Sequence, residues 1–296
     1  MYQYPETLGP DGDLLDAGPV GELATAAESS GWHGFSFTEH PAPGAKWLSA
    51  GGHQSLDPFV ALGHVAAVTE RLRLLTYLAV VPYRNPSLLA KAAATVDKLS
   101  GGRFVLGVGT GYLKAEFRAL GIDFEERNAL FDEALDVLPL HWSGEPFSYQ
   151  GRHFEARDVL AMPRPVQDPI PIWIGGNSAL TRRRVAERAQ GWMPLTSHVD
   201  ISATTRTPHL GSIAELAKQI AELREAAGDR GPDLDVVFGY TDPTIANLDS
   251  DVERHRDAFA QLAEIGVGWV VVSGPTGRPP ATFEFVEGFA ENYIAP

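Results

Sequence analysis

The chain has 296 residues, 44% of them hydrophobic, enough to bury a sizeable core and to imply a globular protein. It contains no cysteine, which excludes disulfides, thiolate metal sites and a cysteine nucleophile, so any redox chemistry must come from a bound cofactor. The formal net charge of -14 argues against a nucleic-acid or anionic-membrane surface, because both select clustered cations.

Read for period and punctuation, short β-rich apolar runs alternate with longer segments at helical spacing. In chain order the sequence predicts strand Tyr2–Tyr4, helix Val20–Ser30, strand Gly34–Thr38, helix Asp57–Thr69, strand Leu72–Val81 and helix Ser87–Leu99. Strand Phe104–Val108, helix Glu126–Trp142, strand Ile170–Ile174, helix Ala179–Gln190 and strand Trp192–Leu195 follow. Helix Ser212–Ala227, strand Leu234–Phe238, helix Val252–Ile265, strand Gly268–Ser273 and helix Thr282–Tyr293 complete the series. The helix after Asn85-Pro86 has the fullest signals: a capping side chain, proline at the first helical position, and an apolar stripe of Leu88, Leu89, Ala92, Val96 and Leu99 before Gly101-Gly102. Near-continuous apolar strands between helices indicate a parallel sheet. Eight such alternations fit a closed (β/α)8 TIM barrel as one domain over residues 1–296, with an open doubly wound sheet as the competing topology.

Two insertions interrupt the rhythm. Pro146–Val159 alternates aromatic and polar residues around Gln150-Gly151 and is predicted to form a β-hairpin; Ser197–Leu210 is polar and patternless, either a lid or a plain surface loop. No apolar run approaches the ~18 residues of a membrane span. The start, MYQYPETLGPDGDLLDAG, lacks the basic and apolar regions of a secretory signal, so a cytoplasmic protein is expected.

In a barrel the working residues sit at the C-terminal ends of strands. The second strand ends in Thr38-Glu39-His40, a pair able to supply a hydrogen-bond acceptor and a near-neutral proton carrier, or simply to satisfy loop amides. Two strand ends are rich in glycine. Gly107-Val108-Gly109-Thr110-Gly111 fails as a dinucleotide fingerprint, because the third glycine would fall at position 112, which is Tyr. Its glycines can instead relieve crowding at a strand end. The other, Ile174-Gly175-Gly176-Asn177-Ser178, opens a helix carrying Arg182-Arg183-Arg184. Unpaired amides at a helix start with arginines nearby favour a phosphate site. A metal hydrolase is disfavoured: no His-x-His pair ends the first strand, and His33, His53 and His64 show no ligand spacing, so no metal is expected. A Ser-His-Asp triad has no Gly-x-Ser-x-Gly elbow.

Several stretches together, GWHGFSFTEH, RLRLLTYLAVVPYRNPSLLAKAAATVDKLSGGRFVLGVGTGYLKAEFRALG, ERNALFDEALDVLPLHW, PFSYQGRHF and PVQDPIPIWIGGNSALTRRRVAERAQGWMPL, span about Gly31 to Leu195. In order and spacing this region resembles the luciferase-like flavin-dependent oxidoreductases, in particular the branch that uses the deazaflavin coenzyme F420. The resemblance implies a (β/α)8 barrel with the cofactor at its mouth. Glu39 and His40 would lie near the ring, with His40 the candidate acid or base. A non-prolyl cis peptide at Tyr77–Leu78 and the side chain of Val80 would back the ring. Thr110 and Gly111 would offer backbone to the cofactor, and Gly175, Gly176, Ser178 and Ala179 its phosphate turn, with Arg182 added by the anion argument.

Trp47, His53, Tyr112 and the 197–210 loop are expected to shape the pocket of a small-molecule substrate, and the resemblance implies a homodimer. Where the family's sugar-phosphate dehydrogenases carry an acid after Gly-Thr-Gly, this chain has Tyr112; a phenol with pKa near ~10 is a poor base at neutral pH, which weakens that substrate class. Glu39 likewise stands where that subgroup has Asp. Two other readings keep the fold: an FMN-dependent monooxygenase served by a partner flavin reductase, and a non-catalytic flavin-binding barrel.

Overall fold

The computed structural model describes residues 1–8, 12–195, 205–275 and 279–294. Eight strands, β1 (Tyr2–Gln3), β2 (Gly34–Phe37), β3 (Arg73–Thr76), β4 (Phe104–Gly109), β5 (Ile172–Gly175), β6 (Gly191–Met193), β7 (Asp235–Gly239) and β8 (Trp269–Ser273), pair in parallel in that order. β8 pairs back onto β1, with Tyr2 opposite Val272, so the sheet closes into a barrel and the open-sheet alternative falls. The longer helices that cover the barrel are α1 (Val20–Ser29), α2 (Pro58–Val68), α3 (Pro86–Ser100), α4 (Arg127–Trp142), α5 (Ala179–Arg188), α6 (Ile213–Ala226), α7 (Val252–Glu264) and α8 (Pro279–Tyr293). Among the described residues no helix is long and apolar enough to cross a membrane.

Strand side chains alternate between two cores. Leu75, Val105, Trp173, Met193, Val237 and Val271 fill the barrel interior, while Phe35, Leu74, Phe104, Ile174 and Val236 face the helices. Each large side chain so buried contributes about 1.5–3 kcal/mol. Local capping follows the sequence: Asp57 accepts from the Phe59 and Val60 amides at 3.0 and 2.9 Å, and Asn85 accepts from Ser87 at 2.9 Å.

The predicted α3 stripe needs correction. Leu88 and Leu99 are 66% and 65% exposed, and the buried face is Leu89, Ala90, Ala93, Ala94 and Val96. Packing against both α2 and α4 rotates the face towards the alanines, whose small side chains let two neighbours approach. Buried Asp97 completes this face by accepting from the Val166 and Gln167 amides at 2.7 and 3.1 Å.

The predicted Leu72–Val81 strand is broken. After β3 the Tyr77–Leu78 peptide is cis, Ala79–Val80 resumes pairing along β4, and Val81–Tyr83 forms a 3-10 turn. The hairpin forms from Phe147–Gln150 and Glu155–Val159, its turn held by Glu133, which accepts from the Arg152, His153 and Phe154 amides. Residues 197–204 of the second insertion lie outside the described residues. The sequence pattern gave no sign of the short pairing of Thr7–Leu8 with His53–Gln54 or of the helix Ala45–Leu48.

Candidate active site

A cavity of about 370 Å³ opens at the C-terminal ends of the strands. It gathers Glu39 and His40 after β2, Tyr77, Leu78 and Val80 from the bend after β3, Thr110, Gly111 and Tyr112 after β4, and Gly175, Gly176 and Ser178 after β5, with His53. Trp47, Ala179 and Arg182 are not among its lining residues. A second cavity of about 530 Å³ adjoins it over β7 and β8 and shares Glu6, Tyr77, Pro194 and Leu195 with it.

The two glycine-rich strand ends are glycine for different reasons. A Cβ on Gly107 would lie 2.0 Å from the Thr76 carbonyl, and one on Gly109 or Gly175 would strike the Leu78 side chain at 2.6 or 2.3 Å. These positions let the bend after β3 press into the barrel mouth. Gly111 and Gly176, with φ of +76° and +113°, lie in the left-handed region and turn the chain out of the strand.

Glu39 is 3% exposed and fully engaged: one oxygen accepts from the Val80 amide at 2.6 Å and the other from Arg84. Burial pushes its carboxyl up, with Arg84 and the Val80 amide pulling the other way. Its bonds tie β2 to the bend after β3, and leave it poorly placed to trade protons with a ligand.

His40 is held from two sides. Its amide donates to Ser55 Oγ at 2.7 Å, and its Nδ1 lies 3.3 Å from Oε2 of Glu116. Glu116 has no exposed surface; it also accepts from the Tyr83 hydroxyl at 2.6 Å and from the Ala42 amide at 3.3 Å. Three donors converging on two oxygens suit an ionised carboxylate, so the proton on His40 sits on Nδ1 and Nε2 is free to take or give one. The His40 ring packs against Trp47 at 4.8 Å, His53 at 4.7 Å and Tyr112 at 6.2 Å between centroids. Trp47 thus acts on the site through His40 rather than as cavity wall.

Sequence reasoning missed Glu116. It stands on the short helix Lys114–Ala119, anchored by Phe117, which is fully buried against Tyr83 and Phe124 at 5.1 Å from each. The signal was present in Lys114-Ala115-Glu116-Phe117, an acid beside an apolar anchor just past a strand end.

Glu6 was missed for a different reason: it follows a weak first strand. Its carboxylate accepts from Gln3 at 2.7 Å and lies 3.1 Å from His53 Nδ1. Burial pushes the Glu6 carboxyl up to about 7, against the pull of the neighbouring His40 charge and the Gln3 amide. Burial, then the charge of His40, pushes His53 down to about 3, so it is neutral at physiological pH and donates from Nδ1. Tyr112 is raised by burial and by Glu6 and Glu116, which keeps it a neutral hydrogen-bond donor.

Across the cavity, Ser178 caps α5 by accepting from Thr181 at 3.0 Å. Asn177, 2% exposed, accepts from the Leu195 amide at 2.8 Å and donates to the Leu195 and Pro208 carbonyls, while its own amide donates to Thr207 Oγ1 at 2.8 Å. This staples residues 205–208 over the turn, so that Thr181, Thr205, Arg206 and Thr207 join Gly176 and Ser178 on the cavity wall. The predicted use of the arginine run is corrected here. Arg182 donates to the Asn177 carbonyl and to Gln219, Arg183 is exposed, and Arg184 forks onto Asp132 at 2.7 and 2.9 Å to bind α5 to α4. The cation on the cavity wall is Arg206.

A closed parallel barrel whose strand ends gather a histidine, buried carboxylates and a turn of glycine, serine and threonine around one cavity has that cavity at the end where TIM-barrel enzymes carry their active sites. The family model for luciferase-like monooxygenases matches residues 5–265, and the chain belongs to that family. A Mycobacterium tuberculosis protein, Rv0953c, is 31% identical over 280 residues, covering 90% of this chain and 91% of that one. An F420-dependent glucose-6-phosphate dehydrogenase of Microbacterium testaceum is 31% identical over 192 residues, 64% of this chain and 53% of that one. An FMNH(2)-dependent dimethylsulfone monooxygenase of Pseudomonas putida is 30% identical over 175 residues, 58% and 46%. Among solved structures, an F420-dependent secondary alcohol dehydrogenase aligns with a TM-score of 0.73 at 17% identity, over 98% of this chain and 96% of that one, a likeness of fold.

Proposed function

We propose that the protein is a coenzyme F420-dependent oxidoreductase of the luciferase-like family, passing hydride between the deazaflavin and a small organic substrate. The observation that carries this is His40: a buried histidine whose Nδ1 is committed to Glu116 and whose ring stands on the cavity wall opposite the anion cradle. The residues fit such a coenzyme. The Leu78 side chain and the glycines of β4 and β5 leave a close-packed backbone surface for a flat ring, where a Cβ at Gly109 or Gly175 would collide. The Ser178 and Thr181 hydroxyls, with the positive end of α5 behind them and Gly176 leaving room beside them, suit a phosphate.

When bound, the coenzyme supplies the hydride donor or acceptor. His40 Nε2 moves a proton to or from the substrate oxygen, and Glu116 fixes the tautomer and stabilises the charge on the imidazole. Tyr112 donates a hydrogen bond, and Glu6, its carboxyl raised to about 7, stands on the wall shared by the two cavities. Glu39 positions the backbone under the ring through Val80. The substrate lies where the two cavities meet at Glu6 and Tyr77, its reacting end towards His40 and the rest in the larger cavity over β7 and β8.

The FMN reading is favoured by the FMNH(2)-dependent relative and would bring a partner reductase. Titration of purified protein with F420 and with FMN decides: F420 is expected to bind more tightly, and FMN binding about 100-fold tighter, some 2.7 kcal/mol, would overturn the choice. Hydride transfer under argon, against oxygen consumption with FMN and a reductase, checks the reaction. Coenzyme binding with neither activity across a panel of alcohols and carbonyl compounds would favour the non-catalytic barrel.

A further inference from the structure

We infer that the substrate is an alcohol bearing an amine and an apolar tail, or the matching amino ketone, and that Glu6 receives its ammonium group where the two cavities meet. This names a substrate class for the deazaflavin reading above and rests on it.

The two cavities differ in charge. The one that holds His40 also holds His53 and Arg206, whereas no lysine, arginine or histidine lines the larger one among the described residues. The larger cavity is walled by Pro194, Leu195, Ile245 and Val271. Asp242, also on its wall, is already engaged, accepting from Arg254 at 2.7 Å and from the Thr244 amide at 3.0 Å. An apolar chain suits these walls, and a phosphate or carboxylate would meet no countercharge there.

Glu6 stands on the wall common to both cavities, and its partners among the described residues are neutral donors, the Gln3 amide at 2.7 Å and His53 Nδ1 at 3.1 Å. Each carboxylate oxygen has a second acceptor site, and 24% of the side chain remains open. A carboxylate held away from water with no lysine or arginine bonded to it is costly, and burial accordingly pushes its carboxyl up to about 7. A ligand ammonium supplies both the missing charge and three donors. A metal ion suits the place less well, because no group of three or more histidine or acidic side chains is set to hold one among the described residues.

Position fixes the rest of the molecule. His53 touches Glu6 on one side and packs against His40 on the other, 4.7 Å between ring centroids, so an ammonium at Glu6 brings a nearby hydroxyl to His40. The tail then runs into the larger cavity. In the oxidising direction the carbinol C–H leaves as hydride to the coenzyme and the hydroxyl proton passes to His40 Nε2, which gives the amino ketone; the ammonium stays intact at Glu6.

Three compounds of one skeleton test this: 1-amino-2-octanol, 3-nonanol and 3-hydroxynonanoate place an ammonium, a methyl or a carboxylate at the same point beside the carbinol. Calorimetric titration of the full chain at pH 8, with F420 present and absent, is expected to rank them in that order. The amine should lead the neutral alcohol by about tenfold, the attraction being partly offset by desolvation of the ammonium. That lead should shrink as pH falls through about 7, where Glu6 takes up a proton. Glu6→Gln is expected to bring the amine and the neutral alcohol within about twofold of each other, and Glu6→Lys to favour the acid. With F420 as hydride acceptor, kcat/KM should follow the same order. Equal binding of amine and neutral alcohol by the parent protein, or a lead that survives Glu6→Gln, overturns the substrate class and leaves the coenzyme reading intact. Amine-selective binding by a protein that does not bind F420 overturns the coenzyme reading and leaves Glu6 as an ammonium site.

Discussion

The two sides of the barrel mouth are built from different chemistry. After β1 to β4 the cavity carries Glu6, Glu39, His40, His53 and Tyr112, backed by Glu116 and Tyr83; Glu39, His40, Tyr83 and Glu116 are buried and the others half-buried, with His40 and Tyr83 bonded to Glu116 and His53 beside Glu6. Facing them, the start of α5 and the 205–208 segment contribute glycine, serine, threonine and one exposed arginine. The first side can move protons but has little to hold an anion; the second can hold an anion but has no group that titrates near neutrality. Under the proposed function anchoring and proton handling are separated across the cavity, and substitutions on the two sides should give separable phenotypes.

The largest separation is expected at His40. His40→Ala should lower kcat by about 10²- to 10⁴-fold, the usual range for a general acid or base, with the coenzyme dissociation constant changed by less than about tenfold. Steady-state kinetics and a binding titration on the same preparation check both halves. Retained turnover would remove His40 from the chemistry, and lost binding would dissolve the division of labour.

Glu116 tests whether the buried carboxylate belongs to the proton-handling side or merely to the core. Glu116→Gln keeps the shape and the hydrogen-bond reach but loses the charge, and kcat is expected to fall about 10- to 100-fold with KM and melting temperature little changed. Glu116→Asp should recover part of the loss. A fall in melting temperature without a selective effect on kcat would make Glu116 a structural residue.

How much of this was legible in the sequence follows the same division. Apart from the strand that breaks at Tyr77–Leu78, the barrel strands and helices lie within a few residues of their predicted ranges, because apolar period and caps are local, and the turn of Gly175, Gly176 and Ser178 is contiguous in the chain. The proton-handling side is assembled from β1, β2 and the segment after β4, and its key contact, His40 to Glu116, spans 76 positions. No pattern within a segment reports such a pairing. Glu39 and His40 were found together by adjacency, yet the fold gives them different work: Glu39 faces Arg84 and a backbone amide, His40 faces the cavity. The arginine run misled for a related reason. Successive helical residues point about 100° apart, so three adjacent arginines cannot share one ligand.

Glu6 sharpens the contrast through stability. Its carboxyl is raised to about 7 in the folded protein against an ordinary 4.5, so folding favours the protonated form. That contribution is fully present below pH 4.5 and is lost as pH rises through about 7. Glu6→Gln cannot ionise, so it should match the parent protein at acid pH and exceed it at pH 8 by on the order of 2 kcal/mol. Urea unfolding at the two pH values reads the difference directly. Parallel pH dependence of variant and parent would mean that Glu6 is solvated and takes no part in the proton-handling side.

The smallest effect is expected on the anchoring side. Ser178 accepts from the Thr181 amide at 3.0 Å and its hydroxyl lies 2.9 Å from that of Thr181, so Ser178→Ala removes both a helix cap and a cradle hydroxyl. The cap is worth about 1 kcal/mol, and a hydroxyl that must give up its partner to bind phosphate nets little more, so the coenzyme dissociation constant should rise only about three- to tenfold. At saturating coenzyme kcat should be unchanged, the reverse of the His40 variant. A selective loss of kcat would mean that the cradle also sets the position of the ring against His40, and that anchoring and proton transfer are coupled across the cavity.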